Sequence, residues 1–352
     1  MKPVPRRRRQ RLATRDLEVD AAIEALVALR AKHPDADLFR QMLVSAVKFL
    51  DLGTERGKLR QAAMALREIR YATKVFAPFA GIHKVSIFGS ARIARGDPSY
   101  AQAVEFSRRM ADAGWRIITG AGPGIMQAGN EGAGRDRSFG VNIRLPYEQS
   151  ANPAVEGSPH LITFRYFFTR KLFFVRESHA IVLFPGGFGT LDEGTEVLTL
   201  IQTGKTSPIP VVMLDPPGGD YWKRVREFLD AELRQRGYVS AEDMGLFRVT
   251  DSVDEAVEEI LGFYRNYHSS RHLGDRFVIR LRHPPGKEDL AALGEEFGGI
   301  LKPGGEGFAV HRGRVRGEGA ADPADPPWRL VFPFDRRSYG RLRMLVDRLN
   351  RM

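Results

Sequence analysis

The sequence predicts an α/β protein: a doubly wound parallel sheet, with a helical prefix before it and a small α+β module after it. Three observations carry that prediction. Short apolar runs such as Lys84–Phe88 and His179–Phe184 alternate with amphipathic runs, the order expected of parallel strands and their crossover helices. Three of the apolar runs end in glycine-containing turns: Gly89-Ser90-Ala91-Arg92, Gly120-Ala121-Gly122-Pro123-Gly124 and Pro185-Gly186-Gly187-Phe188-Gly189. The formal charge of +11 is unevenly spread. Residues 1–80 carry 17 basic and 9 acidic side chains, residues 81–270 carry 21 and 23, and residues 271–352 carry 16 and 11. The ends are basic and the middle is near neutral, so the basic excess belongs to the flanking parts.

Residues 1–15 hold Arg6, Arg7, Arg8, Arg9, Arg11 and Arg15. This tail reads either as solvated or as an arm that contacts a polyanion. It has no apolar core of the kind a secretory signal carries. Residues 16–80 read as helical. Leu17, Ile23, Leu26 and Val27 recur at near-helical spacing. Pro34-Asp35 breaks that helix and opens a second, with Phe39, Met42, Leu43, Val47 and Leu50 on its apolar side. Thr54 is placed to cap a third, which ends before Pro78. Such a prefix packs on the core or on a second subunit.

Residues 81–268 hold the sheet. Strands are expected at Lys84–Phe88, Trp115–Thr119, Phe139–Ile143, Leu161–Phe164, His179–Phe184, Ile209–Leu214 and Leu246–Val249. The intervening helices are expected at Ser99–Ala113, from Ile125 onward, at Phe167–Glu177, Leu191–Ile201, Asp220–Arg236 and Val253–Tyr264. The stretch from Tyr147 to Pro159 is polar and contains Gly and Pro, and reads as a loop able to cover a site. Residues 271–352 read as a β-α-β-β-α module of ferredoxin-like type, with Arg312–Pro327 a mobile loop within it.

The turn after His179–Phe184 carries the densest chemistry. Gly186, Gly187 and Gly189 let the backbone approach a ligand, and the amides of the following helix then face an anion. Thr190 acts as N-cap or gives its hydroxyl to a phosphate. Glu193 falls in the first turn, and Arg170 and Lys171, on the preceding helix, bring positive charge to the same crevice. The layout is a phosphate cradle with a carboxylate beside it. The competing reading is a tight strand-to-helix turn with Glu193 as a dipole-stabilising acid. The Gly120–Gly124 turn is a poor dinucleotide fingerprint: its spacing is GxGxG, and Asn142 and Arg144 stand where an acidic residue is needed.

The string Pro185–Glu193 resembles the PGGxGTxxE signature of the LOG family, phosphoribohydrolases that release a free base from nucleoside 5′-monophosphates. The resemblance extends to the Arg170-Lys171 pair, to Gly120–Asn130, which is similar to that family's GGGxGxMxA(x)N-like segment, and to Gly89-Ser-Ala-Arg92. It covers roughly residues 80–265. One position departs: Asp192 stands where many members carry Glu.

The resemblance implies a Rossmann-like catalytic domain with Arg170 and Glu193 as the catalytic pair. It implies a nucleotide site built from Lys171, Gly186, Gly187, Phe188, Gly189, Thr190, Asp192, Gly89, Ser90, Gly122, Gly124, Met126 and Asn130. The last two either line the base or ribose side or pack the helix start. It further implies a nucleoside 5′-monophosphate substrate, no cofactor, and a homodimer or larger homo-oligomer with the site near the interface. The helix Phe167–Glu177 adds an independent reason: it is apolar on more than one face, so a second subunit, or the prefix, is expected to cover part of it. A non-catalytic alternative is a Rossmann-like protein that binds a nucleotide or single-stranded DNA, since such proteins carry similar turns. Glu193 separates the two, because a polyanion site has no use for a carboxylate in its phosphate loop.

Composition sets outer limits. No 18-residue apolar run is present, so no membrane span is expected. The chain has no cysteine, which excludes disulfides, thiolate metal sites and cysteine nucleophiles and fits a cytoplasmic location. The eight histidines are scattered; His268 and His272 alone have i,i+4 spacing, in a polar stretch expected to be exposed, and no metal site is expected. Members of the family have often carried a lysine decarboxylase label. A pyridoxal enzyme needs a Schiff-base lysine, and Lys171 beside Arg170 at a phosphate crevice does not suggest one.

Overall fold

The structure, a computed structural model, describes residues 13–146, 150–319 and 325–352. Most of the arginine tail therefore lies outside the described residues, as do Tyr147–Gln149 in the expected cover loop and residues 320–324 in the expected mobile loop.

The chain divides into two compact units between Arg70 and Tyr71. The first holds α1 (Leu17–Ala28) and α2 (Ala36–Asp51), which pack on each other. Asp16 caps α1, its carboxylate accepting from the amides of Glu18 and Val19. A third helix, α3 (Arg56–Phe76), starts in this unit and ends beyond the division. The three helices expected from the apolar spacing are present.

The second unit contains a seven-stranded sheet. Its strands are β1 (Lys84–Phe88), β2 (Arg116–Thr119), β3 (Ser138–Ile143), β4 (Leu161–Phe164), β5 (Ala180–Leu183), β6 (Val211–Leu214) and β7 (Arg248–Thr250). The helices between them are α4 (Pro98–Asp112), α5 (Ile125–Ala133), α6 (Phe167–Glu177), α7 (Phe188–Gln202) and α8 (Tyr221–Phe228), and α9 (Val253–Phe263) follows β7. Strand order is β4-β3-β2-β1-β5-β6-β7, and every neighbouring pair is parallel. This is the Rossmann-like, doubly wound sheet that the alternation predicted. Every residue of β1, β5 and β6 is buried, which is why these strands read as unbroken apolar runs. Winding reverses between β1 and β5. A sheet of this kind opens its ligand crevice at such a reversal, beyond the carboxyl ends of the strands. Gly89 follows β1 and Gly186 follows β5, so the sequence places two glycine turns on either side of that point.

The C-terminal module is a second, antiparallel sheet: β8 (Tyr267–Leu273), β9 (Arg276–Leu281), β10 (Ala309–Arg312) and β11 (Trp328–Phe332), in the order β10-β11-β9-β8, with α10 (Lys287–Phe297) and α11 (Tyr339–Leu349). The element order is ββαββα, one strand more than the expected βαββα. The added strand, β8, runs Tyr-His-Ser-Ser-Arg-His-Leu and crosses the expected domain boundary at residues 268–271. His268 is half-buried within it and His272 is exposed, its ring bonded to the Tyr339 hydroxyl at 3.1 Å. Phe277, Ile279, Leu281, Leu330 and Phe332 turn one face of this sheet into the common core. Close approaches fix the module to the large sheet's layer. Gly204, at φ 66°, meets the Tyr339 ring, and Gly340 lies against the backbone of Glu242. Asn350 accepts from the amides of Asn266 and Tyr267 at 3.0 and 2.8 Å. Among the described residues no helix is long and apolar enough to cross a membrane.

Candidate functional site

The crevice at the β1/β5 reversal is assembled by backbone contacts between the three glycine turns. Ser90 donates its amide to Pro185 O at 3.0 Å, and Ile125 donates to Ser90 O at 3.1 Å. Gly124, at φ 67°, is pressed against the Ser90 carbonyl, where any Cβ would collide. Gly186 is closed in by Thr190 and by the Ser90 amide. Gly187 and Gly189 differ: a Cβ on either would point into open space. Protein packing does not require glycine at those two positions, whereas a ligand seated on the backbone would.

α7 begins at Phe188, with Gly187 as its N-cap, three residues earlier than the apolar spacing suggested. Thr190 is therefore inside the first turn and does not cap it. Its amide, with that of Leu191, bonds back to Gly187 O at 3.0 and 3.2 Å. The amides of Gly186, Gly187, Phe188 and Gly189 donate to no group among the described residues. Four unpaired donors at a helix N-terminus make an anion seat. Phe188, 93% exposed, stands beside it. The loop is braced from α8: Tyr221 donates its hydroxyl to Gly186 O at 2.7 Å. Sequence reasoning passed over Tyr221. The signal available was its place at the start of the helix after β6, on the same edge of the sheet.

Glu193 lies one turn into α7 and is only 7% exposed. Burial pushes its carboxyl up to about 7, against the pull of Lys171 and Arg170 and with the push of Glu196 and Asp192. No side chain or amide among the described residues donates a hydrogen bond to it. Arg170, on α6, is half-buried with its Nε donating to Val141 O at 2.8 Å and its guanidinium 5.1 Å from the Phe174 ring. Burial lowers its pKa and Glu193 opposes that shift. Its Nη2 and the Met126 sulfur both lie close to Gly120. Arg170 and Glu193 thus face one crevice together with the glycine turns.

Lys171 is placed differently from the sequence expectation. Its Nζ is 2.9 Å from both Asp192 and Glu196, so its charge is committed to two carboxylates and not to the amide seat. Those partners hold the amine protonated, unlike the neutral amine that forms a Schiff base. Glu196 is half-buried at this lysine. Asn130 is fully buried. Its Oδ1 accepts from Thr119 at 2.7 Å and from Asn152 at 3.0 Å, and Asn152 also donates to Gly122 O at 3.0 Å. The two asparagines support the Gly120–Gly124 turn from beneath. Asn152, missed in the sequence, belongs to the expected cover loop. Ala151 and Val155 pack on Ala121, and the Asn152 amide donates to Ala121 O at 2.8 Å, so the described part of that loop is tied to the turn. Met126 and Ser90 are half-buried at the crevice, with Ser90 Oγ accepting from Arg92 N at 3.1 Å. Among the described residues no cluster of three metal-ligating side chains occurs.

Residues 124–260 match the family described as "Possible lysine decarboxylase". Over 124 residues the chain is 31% identical to the pyrimidine/purine nucleotide 5′-monophosphate nucleosidase of Escherichia coli strain K12, covering 32% of this chain and 27% of that protein. Over 185 residues it is 29% identical to the cytokinin riboside 5′-monophosphate phosphoribohydrolase of Mycobacterium tuberculosis strain H37Rv, covering 49% of this chain and 95% of that one. The match thus spans about a quarter of the E. coli relative. Among solved structures, the molybdenum cofactor carrier protein of Chlamydomonas reinhardtii is similar at 21% identity and a TM-score of 0.35, over 50% of this chain and 94% of that one. DNA processing protein A of Helicobacter pylori is similar at 13% identity and a TM-score of 0.34, over 51% and 80%. At those scores neither likeness bears on what this chain does.

Proposed function

We propose that this chain, whose residues 124–260 match the family model, carries a central domain of the LOG type and hydrolyses the N-glycosidic bond of nucleoside 5′-monophosphates of the AMP type, giving free base and ribose 5-phosphate. The observation that carries the reading is Glu193: a buried carboxyl raised to about pKa 7, beside a half-buried arginine, with no hydrogen-bond donor on it and four unpaired amides near it among the described residues. Carboxyls raised by burial beside charged groups in an open crevice gather at functional sites. The activities named for the two relatives point the same way.

In this scheme the 5′-phosphate sits on the amides of Gly186–Gly189, near the positive end of α7. The anomeric carbon then lies by Glu193. Ionised Glu193 stabilises the oxocarbenium-like transition state and takes a proton from the attacking water. The water's hydroxyl joins C1′ as the bond to the base breaks, and the proton taken by Glu193 passes through solvent to the leaving base nitrogen, which returns Glu193 to its ionised form. Arg170 is held by Val141 O and Phe174, and its free edge orients the nucleotide. Lys171, tied to Asp192 and Glu196, tunes the field at Glu193 without touching phosphate. Incubation with AMP, GMP, CMP and UMP, with free base read by chromatography, tests the proposal; no base from any of the four overturns it.

The reading includes a second copy of the chain. Phe167, Phe168 and Leu172, on the helix that carries Arg170, are 55%, 52% and 44% exposed. Large apolar groups grouped on one helix face mark an interaction surface. Sedimentation at micromolar concentration checks this, and a fully active monomer overturns it. A cytoplasmic location, where nucleoside monophosphates are found, belongs to the same proposal.

A further inference from the structure

The C-terminal sheet turns its second face away from the core, and that face carries a row of unusual chemistry. Ser269 on β8 pairs with Arg280 on β9, Arg280 pairs with Arg329 on β11, and Arg329 pairs with His311 on β10. The two arginines are directly opposite each other, and they are 6% and 1% exposed. Like charges at directly paired positions repel, and burying each cation is costly. Apolar residues at these two positions would cover the face at lower cost. The pair is held because two carboxylates meet it. Glu318 accepts from Arg280 Nε at 2.9 Å and from Arg329 Nε at 3.1 Å, and takes the Val315 amide at 2.8 Å. Asp325 lies 2.6 Å from Arg280 and 3.8 Å from Arg329.

Neither carboxylate belongs to a strand or helix. Glu318 arrives on the segment Gly313–Gly319, which lies over the sheet as a strap. Its one apolar anchor is Val315, packed on Val278 and Val331. Arg271 reaches the Glu318 carbonyl at 3.1 Å and Arg276 the Arg316 carbonyl at 2.9 Å. Gly313, Gly317 and Gly319 all have positive φ, at 82°, 103° and 75°, with open space around them. The surrounding surface is basic: Arg271, Arg282, Arg312, Arg314 and Arg316 are exposed. Much of the C-terminal charge excess gathers here. With the strap lifted, two guanidinium groups, a hydroxyl and an imidazole would share one open row.

We propose that this row is an anion-binding site whose resident occupant is Glu318, and that its ligand is an oligophosphate group, which displaces the strap. Phosphate chemistry is favoured over carboxylate by simple competition. Glu318 is tethered, so its effective concentration is of millimolar order, and a second single carboxylate does not displace it. A di- or triphosphate brings more charge and more acceptor oxygens, matching two forked guanidinium donors and Ser269. The inference does not rest on the hydrolase reading, since the site lies in the module outside the matched residues.

The absence of cysteine makes the test direct. Arg314→Cys places one label on the strap, and an environment-sensitive dye there is titrated with inorganic tripolyphosphate and, at equal ionic strength, with acetate. A saturable signal with tripolyphosphate and none with acetate is expected. Adding Glu318→Gln should lower the tripolyphosphate midpoint about tenfold, because the tethered competitor loses its charge. Asp325→Asn should lower it too, which keeps the test intact if the first variant folds poorly. Arg271→Ala should raise it. No saturable change in any labelled chain up to about 10 mM, well past the tether's effective concentration, overturns the proposal. So does a midpoint that neither carboxylate variant moves, which leaves the row a fixed ion network.

Discussion

Two buried carboxylates in this chain, Glu193 and Glu318, each lie close to arginine, and they have opposite characters. Glu318 takes two guanidinium groups and one backbone amide, and these outweigh the burial that by itself would raise it, leaving its pKa below the usual value. Glu193 has Lys171 and Arg170 in its field but, among the described residues, no donor on its oxygens, and burial prevails, raising it to about 7. The difference is the number of direct hydrogen bonds, not the presence of positive charge. A satisfied carboxylate holds a piece of chain in place. An unsatisfied one in an open crevice keeps its oxygens for something that arrives later.

The contrast breaks first, and most visibly, at Glu193. Glu193→Gln keeps the shape and removes the charge, so base release should fall on the order of 10²–10³ in kcat, the scale of one lost electrostatic group, while nucleotide affinity stays. Rates within a few-fold of the parent would make Glu193 a structural acid like Glu318. The amide seat comes next. A bare nucleoside leaves Gly186–Gly189 amides without partners, at about 1–3 kcal/mol each, so adenosine should be cleaved at least about 10²-fold less efficiently than AMP. Equal efficiency would remove the phosphate from the crevice.

These predictions lean on groups whose presence was legible in the sequence but whose state was not. The strands, the three glycine turns, Arg170 and Glu193 could be placed from apolar runs and a motif, because each depends on residues close in the chain. Lys171 could not. Whether it meets a phosphate or Asp192 and Glu196 depends on how α6 lies beside α7, and adjacency to Arg170 in sequence says nothing about that. β8 was missed because Tyr267–Leu273 has Ser and His on the face where a strand usually shows Val or Ile. The strap lies within Arg312–Pro327, a stretch read as a mobile loop because Gly, Ala, Asp and Pro are frequent in it. Val315 and Glu318, the two residues that fasten it, look ordinary until β9 and β11 bring Arg280 and Arg329 beneath them.

Arg170→Lys sharpens the comparison from the cation's side. Lysine keeps a charge near Glu193 but loses the planar fork that reaches Val141 O and the crevice together. A fall of about tenfold in kcat/KM for AMP is expected, the size of one misplaced charged hydrogen bond. If the kinetics do not change, the charge alone is what Glu193 requires, and the positioning argument for α6 fails.

The smallest effect is on stability, and its sign separates the two carboxylates. The Glu193 carboxyl is raised from 4.5 to about 7 in the folded chain, so the folded state binds the proton more tightly than the unfolded state. Stability from this group is full below about 4.5, is lost as pH rises through about 7, and is absent above it. Between pH 6 and pH 8 the parent should lose about 1 kcal/mol relative to Glu193→Gln, which has no such proton to release. Glu318, being lowered, has the opposite dependence and loses its contribution only as pH falls through the acid range. Denaturant titrations of the two chains at pH 6 and pH 8 read the difference. A Glu193→Gln chain that tracks the parent at both values would mean the carboxylate is already ionised and satisfied at neutral pH, and the crevice would then hold no group waiting for a substrate.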